Sequence, residues 1–485
     1  MSKNGSALDR HPTYEVVIGI EVHVQLNTNT KIFCACSNAI STVPNSNTCH
    51  ICTGHPGVLP VLNEAVVVAG IKAGLATNSQ IAQESFFDRK HYFYPDLPKG
   101  YQITQQYKPI CLNGYVPIRL TDGAVKKIKL RRIHIEEDAG KNTHVKASKE
   151  SLVDLNRAGT PLLEIVSEPD ISSSEEARAY LKMLRATVQY AGICTGNMQN
   201  GAFRADTNIS VRKKGTTELG TKCELKNINS FKFIADAIEY EIERQIALLE
   251  SGQKVKQETR LWDTKNKVTV SMRSKEEAAD YRYFQDPDLP GIQISDELLQ
   301  TVKAAMPELP FEKFDRYVTE YGLSPYEADI LVEEYERAMY FEKAYSMHRS
   351  KAVVNWILRD VLGFINQQQI SLTECKVTPE HLATIVKMIE DGLINGSSAK
   401  TVFETVAQTG QNPVEVVKQK GLESVGAEDD FILIAQKIIA QNPDIVAQYR
   451  SGKEKLFGFF VGQLMKETGG KASPQMINQI FKKLL

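Results

Sequence analysis

A chain of 485 residues, 42% apolar and 24% charged, has the length of roughly three domains and the composition of a soluble globular protein. A polar, mixed-charge start and the lack of any uninterrupted apolar run of spanning length argue against a signal peptide or a membrane helix, so no membrane contact and a cytoplasmic location are the expectation. Eight cysteines are too few for a disulfide scaffold, and the net charge of −1 hides a local asymmetry near the C-terminus.

In the first predicted element Ile18, Ile20, Val22, Val24 and Leu26 alternate with Gly19, Glu21, His23 and Gln25, a period of two that predicts a strand with one buried face. Glu21 and His23 then point the same way. A carboxylate and an imidazole at that spacing can share a divalent cation or a proton, and a solvated polar face is the other reading of this stretch alone. Next come Cys34, Cys36, Cys49 and Cys52, two short thiolate hooks separated by a loop. That is how a tetrahedral zinc site is built, and four sulfurs leave no position for water, so the zinc expected here is structural. His50 and His55 lie near enough to replace one sulfur.

Asn63 to Thr77 reads as a helix capped by Asn63. The segment from Phe87 to Gln102 mixes aromatics, bases and turn formers and predicts no regular element; it suits either a site lining or a loop packed on the core. Tyr115 to Glu137 reads as a hairpin turning at Asp122-Gly123, with a bulge where the apolar parity switches at Arg131-Arg132. Its basic second arm is either a solvated edge or a phosphate contact. Glu136, Glu137 and Asp138 follow as an acidic cluster. Glu164 sits inside the apolar strand Leu162 to Val166, where a carboxylate is expensive to bury unless paired or bound to metal. Ser173 and Glu176 form a capping box for a helix to about Tyr190. The strand Phe203 to Val211 puts Arg204, Asp206 and Asn208 on one face, and Lys222, Glu224 and Lys226 alternate likewise in the next. Ser230 to Gly252 reads as a long amphipathic helix, and Asp280 to Phe284 closes the sheet-rich part.

Beyond about residue 295 the period changes to 3.6, with helical patterns such as Tyr326 to Tyr345 and Ala352 to Ile370. The fold class expected is therefore α+β: a sheet-rich domain over 1–295, a helical domain over 296–410 and a small helical tail over 411–485. Residues 450 to 485 carry seven basic side chains (Arg450, Lys453, Lys455, Lys466, Lys471, Lys482 and Lys483) against Glu454 and Glu467. That local excess suits a polyanion such as RNA or a solvated helical face. No phosphate-cradling P-loop occurs, since Gly396 to Thr401 lacks the second glycine, and no amidase nucleophile pattern is present.

Several ordered strings together carry a resemblance: Gly19 to Leu26, Pro56 to Val61, Phe87 to Lys90, Tyr92 to Gln102, His134 to Lys141, Glu164 to Asp170, Glu224 to Asn227, Asp280 to Phe284 and Gly458 to Lys466. The chain resembles, over nearly its whole length, the B-subunit family of aspartyl/glutamyl-tRNA(Asn/Gln) amidotransferases. The resemblance implies a ligase in a heterotrimer whose other members are an amidase (the A subunit) and a small C subunit. It implies ATP- and Mg²⁺-dependent phosphorylation of the side-chain carboxylate of misacylated Glu-tRNA(Gln) or Asp-tRNA(Asn), followed by amidation with ammonia from the amidase. By motif it assigns Glu21, His23, Glu137 and Glu164 to the metal and adds Asp206 as a further catalytic acid. Glu136 competes with Glu137, because alternation sets Glu136 beside His134. Arg89, Lys90 and Lys99 are the residues expected to meet nucleotide phosphates. The first domain becomes a kinase-like catalytic cradle with a zinc insertion near 34–52, and the tail a tRNA-binding domain. Two rivals remain: a zinc-stapled RNA-binding protein without catalysis, which leaves Glu21, Glu137, Glu164 and Asp206 idle, and a self-sufficient carboxylate-amine ligase, which leaves the basic tail idle.

Overall fold

A computed structural model of the chain describes residues 6–145, 150–274, 280–423, 428–453, 456–468 and 474–485. Glu454, Lys455, Gly469, Gly470 and Lys471 of the basic tail lie outside the described residues. The fold is α+β, and the chain divides into two compact units, Met1–Gly322 and Leu323–Leu485.

The first unit is built on a nine-stranded sheet. Its strands are β1 (Tyr14–Gln25), β2 (Gln80–Ile81), β5 (Cys111–Arg119), β6 (Val125–Glu137), β9 (Pro161–Ser167), β10 (Phe203–Lys213), β11 (Cys223–Lys226), β12 (Glu258–Asp263) and β13 (Val268–Ser274). They run across the sheet in the order β13-β12-β11-β10-β1-β9-β6-β5-β2, with β1 in the centre. Three smaller sheets stand apart from it among the described residues: β3 (Asp88–His91) between β4 (Tyr101–Thr104) and Phe284–Gln285, β7 (Lys141–Val145) with β8 (Glu150–Asp154), and Glu84–Ser85 with Ile292–Gln293.

Strict alternation along β1 explains its central place. Ile18, Ile20, Val22 and Val24 are fully buried, each removing apolar surface worth about 2 kcal/mol from water, while Glu21, His23 and Gln25 face the other way. Helices α1 (Glu64–Ala76), α2 (Ser174–Tyr190) and α3 (Phe231–Glu250) cover the apolar face. Asn63 caps α1 as expected, its side chain accepting from the Ala65 amide at 2.9 Å. At Gly74 a Cβ would fall 2.9 Å from Ile81 Cγ1, so only glycine lets the helix lie this close to the sheet. The hairpin of β5 and β6 turns at Asp122-Gly123, and the register against β9 slips by one at Arg131, which is the expected bulge. On its basic arm Lys126 pairs with Glu176 and Arg131 with Glu168.

Four local expectations differ from the structure. The segment from Phe87 to Gln102 holds strand β3 and leads into β4, and β3 also pairs with Phe284–Gln285. Its partner comes from the far end of the unit, which no local pattern discloses. At α2 only half of the capping box forms: Ser173 accepts from the Glu176 amide, but the Glu176 carboxylate turns to Ser172 and Lys126. Tyr326 to Tyr345 is two helices, Pro325–Val332 and Tyr335–Met347, because Glu334 adopts an extended backbone. Ala352 to Ile370 contains a π-helical turn at Ile357–Val361 and ends on the left-handed Gln369.

The second unit is helical throughout its described residues. The near-miss phosphate loop at Gly396 is the first turn of helix Gly396–Thr409, capped by Asn395. Phe431, Ala435, Ile438, Phe460, Leu464, Ile477, Ile480 and Phe481 form a separate small core near its end. Among the described residues no helix is long and apolar enough to cross a membrane.

Candidate functional site

The polar face of β1 lies between two strands that also carry charge on that face. Register places His23 opposite Arg204 on one side and Glu164 on the other, and Glu164 opposite His134, so four polar residues cross the sheet in one row. In the adjacent rows Glu21 faces Asp206, and Glu136 follows His134 two positions along β6.

Three side chains converge. His23 Nε2 lies 3.5 Å from Glu136 Oε1 and 3.5 Å from Glu164 Oε2, and one ligand atom from each of His23, Glu136 and Glu164 falls within 4.8 Å of the others. His134 Nε2 backs the pair at 3.2 Å from Glu164, and its Nδ1 is buried with no hydrogen-bond partner among the described residues. Burial opposes charge on His23, but the hydrogen bond and charge of Glu164 outweigh it and lift the imidazole to about 9. His134 is raised on the same balance. Burial favours protonation of Glu164, yet the two histidines hold it well below the usual carboxylate range, and Glu136 is lowered likewise. Glu21 is raised, first by burial and then by the charges of Glu164, Asp206 and Glu224, and it accepts from Asn208 at 3.1 Å. Two carboxylates and an imidazole at this spacing could together hold a divalent cation.

This face forms the floor of a cleft of about 830 Å³. Asp206 lines it, paired with Lys226 at 2.9 Å, and Lys226 also reaches Glu224 at 3.2 Å. On the other wall Asp138 takes Arg204 at 2.9 Å and Arg157 at 3.3 Å. Lys90 enters the cleft with its ammonium 4.8 Å from the Tyr281 ring. The cleft thus offers several cations beside a cluster of acids, an arrangement suited to a substrate carrying phosphates.

Glu137 points to the opposite face of β6, where it pairs with Lys99 and accepts from the Ile103 amide at 2.9 Å. Alternation makes this unavoidable: if Glu136 joins His134 on the open face, Glu137 cannot. Lys99 therefore sits behind the sheet beside Glu137, in a small pocket shared with Phe33 and Cys52. Arg89 is held by Asp286 at 2.8 Å and Asp288 at 2.7 Å, with its guanidinium over Tyr101. Of the three bases expected to meet phosphates, only Lys90 lines the cleft.

Cys34, Cys36, Cys49 and Cys52 come together, all four sulfurs within 4.8 Å of one another. The Cys49 and Cys52 sulfurs are 3.9 Å apart, against about 3.8 Å for a tetrahedral site with zinc–sulfur bonds near 2.3 Å. His50 and His55 pair with each other at 2.9 Å. The residues that sequence reasoning left out of the site are Arg157, Arg204 and Lys226. For Arg204 and Lys226 the alternation with Asp206 and Glu224 was the available signal, and for Arg157 there was none.

Two family models match: the GatB/GatE catalytic domain over residues 16–300 and the GatB domain over 339–485. Curated relatives align along almost the entire chain. The B subunit of the aspartyl/glutamyl-tRNA(Asn/Gln) amidotransferase of Geotalea daltonii is 52% identical over 97% of this chain and 99% of its own. Those of Thermodesulfovibrio yellowstonii and Carboxydothermus hydrogenoformans are 49% and 50% identical, again over 97% of this chain. On this match, and with the sheet, the cleft and the acidic and basic residues in the matched region, the chain belongs to the GatB family, that of the amidotransferase B subunits.

Proposed function

We propose that this chain is the B subunit of a tRNA-dependent amidotransferase, a ligase acting in the cytoplasm with an amidase (the A subunit) and a small C subunit. Its open cleft activates the side-chain carboxylate of Glu-tRNA(Gln), Asp-tRNA(Asn) or both with ATP, and ammonia from the amidase then displaces phosphate to give the amide. The observation that carries this reading is the convergence of Glu164 with His23 and Glu136, two residues that line a cleft also holding Lys90, Arg157, Arg204 and Lys226.

A carboxylate is a poor electrophile, and phosphorylation supplies a leaving group. His23, Glu136 and Glu164 would hold Mg²⁺, with Glu21 and Asp206 on the adjacent row. Bound Mg²⁺ neutralises phosphate charge and aligns the transferring group. Lys90 and Lys226 offer ammoniums to phosphate oxygens. Cys34, Cys36, Cys49 and Cys52 would hold a structural zinc at one end of the sheet. In this reading residues 1–295 form the catalytic cradle, 296–410 a helical domain and 411–485 the tail that contacts tRNA.

The test is transamidation by the purified chain. With ATP, Glu-tRNA(Gln) and free ammonium it makes some Gln-tRNA, whereas glutamine serves as donor only after the amidase partner is added. Glutamine-driven product from this chain alone overturns the assignment.

A further inference from the structure

One buried side chain joins the cysteine cluster to the cleft. Lys31 is fully buried; its ammonium donates to the Ala158 carbonyl at 2.7 Å and lies 3.6 Å from Cys52 Sγ. A buried ammonium is tolerated where an anion and several acceptors surround it, and four cysteinates on a divalent ion carry a net −2 that such a charge offsets. The backbone repeats the link, since the Ile32 amide donates to the Gly159 carbonyl at 3.0 Å. Gly159 has φ +81°, and a Cβ there would sit 3.3 Å from Cys52 Cβ, so the chain passes in contact with the cluster.

The other side of this segment is the cleft wall. The Gly159 amide donates to the Asp138 carbonyl at 3.0 Å, and the Asp138 amide to the Thr160 carbonyl at 2.8 Å. Arg157 donates to the Ala139 carbonyl at 3.0 Å and to the Gly140 carbonyl at 2.7 Å, and shares the Asp138 carboxylate with Arg204. Residues 155–160 are thus a single layer of chain between four sulfurs and a pair of guanidinium groups.

We propose that Lys31 is a positioning residue that couples the metal-bound cysteine cluster to the cleft, holding residues 155–160 so that Arg157 and Arg204 stay converged on Asp138. Metal at the cysteines then sets the shape of the substrate wall as well as that of its own loop. The inference rests on the zinc reading given above, and zinc content is measured separately so that the two can fail independently.

The experiment compares three full-length samples: wild type as purified, wild type stripped of metal by a chelator, and Lys31→Met. The first is expected to hold one zinc per chain. Stripping is expected to speed exchange of the Asp138, Gly159 and Thr160 amides about tenfold or more while leaving the Ile209 amide in β10 unchanged. Lys31→Met keeps its zinc and shows the same local acceleration. In ammonium-driven amidation its KM for a polyanionic substrate, ATP or tRNA, rises about tenfold while kcat changes far less. Wild-type exchange in zinc-loaded Lys31→Met, or a fall in kcat with KM unchanged, overturns the coupling. If Lys31→Met does not fold, the stripped wild type decides, and unchanged exchange at 158–160 there overturns it. A chain that never takes up zinc overturns both the coupling and the zinc reading.

Discussion

Glu136 and Glu164 draw positive charge from His23 and His134, so a divalent cation entering the site competes with a proton. His23 is raised from 6.5 to about 9, and it therefore carries that proton at neutral pH. Cation affinity is expected to rise with pH up to about 9, with protons released on binding, as titration calorimetry with Mg²⁺ in buffers of different ionisation enthalpy would read. An affinity independent of pH between 7 and 9 contradicts a role for His23. For folding in metal-free buffer the sign runs the other way. A folded-state pKa above the unfolded one stabilises fully below 6.5, and that contribution is lost as pH rises through about 9. Under the proposed cation site, removing Glu164 is harsher than removing a proton: Glu164→Ala is expected to lower ATP-dependent phosphorylation about 100-fold or more without releasing tRNA. Retained phosphorylation would take Glu164 out of the site.

Among the elements, β1 was the most legible, because strict alternation in twelve residues allows only one face to be buried. The same rule, applied to β6, puts Glu136 rather than Glu137 beside His134, and the side-chain positions agree with alternation where motif matching favoured the neighbour. Strands β3 and β4 were not legible, since their aromatics, bases and turn formers show no period of two and the second partner of β3, Phe284–Gln285, lies far along the chain, and neither was the break at Glu334, which no glycine or proline marks. Arg157 has no periodic context at all; it sits in a turn and is held there by the Ala139 and Gly140 carbonyls.

Two helices illustrate how side chains anchor elements. Glu308 accepts from Arg316 through both carboxylate oxygens and from Lys313 at 2.9 Å, and these cations hold it down at about 2. Glu308→Gln is expected to cost about 1–2 kcal/mol in urea unfolding at pH 7, allowing for its partial exposure. A group with a lowered pKa stabilises above 4.5 and loses that contribution as pH falls through about 2, so the gap between variant and wild type should close over that range. A gap that persists on acidification contradicts the ion-pair account. In α3, Glu241 is fully buried and accepts from Arg244, Gln245 and Thr269, with Arg260 at 3.4 Å. Glu241→Ala removes the buried carboxylate at the centre of this network, leaving Glu258 as the carboxylate beside Arg244 and Arg260, and is expected to cost about 2–4 kcal/mol by the same measurement. A loss under about 1 kcal/mol would mean the network is solvated.

For the whole molecule, a near-neutral chain hides a division of labour. The central sheet carries an apolar face under three helices and a charged face open to a cleft, while the end of the second unit closes on a small core of its own. Length and periodicity disclosed this α+β plan; the convergence of acids, histidines and bases from β1, β6, β9 and β10 required the register between strands distant in sequence. If the basic tail holds tRNA, removal of residues 411–485 should weaken tRNA binding and flatten its dependence on salt, with ammonium-driven amidation surviving at saturating tRNA. Unchanged tRNA affinity would make the tail's charge a solvated face.

The most direct test of the cation site is Mn²⁺ binding followed by electron paramagnetic resonance in Glu136→Gln and Glu137→Gln side by side. With Glu136 on the open face beside His23 and Glu164, and Glu137 behind the sheet on Lys99, Glu136→Gln should weaken binding about 100-fold or more and Glu137→Gln should leave it near wild type. Loss of binding in Glu137→Gln with full binding in Glu136→Gln would contradict the account.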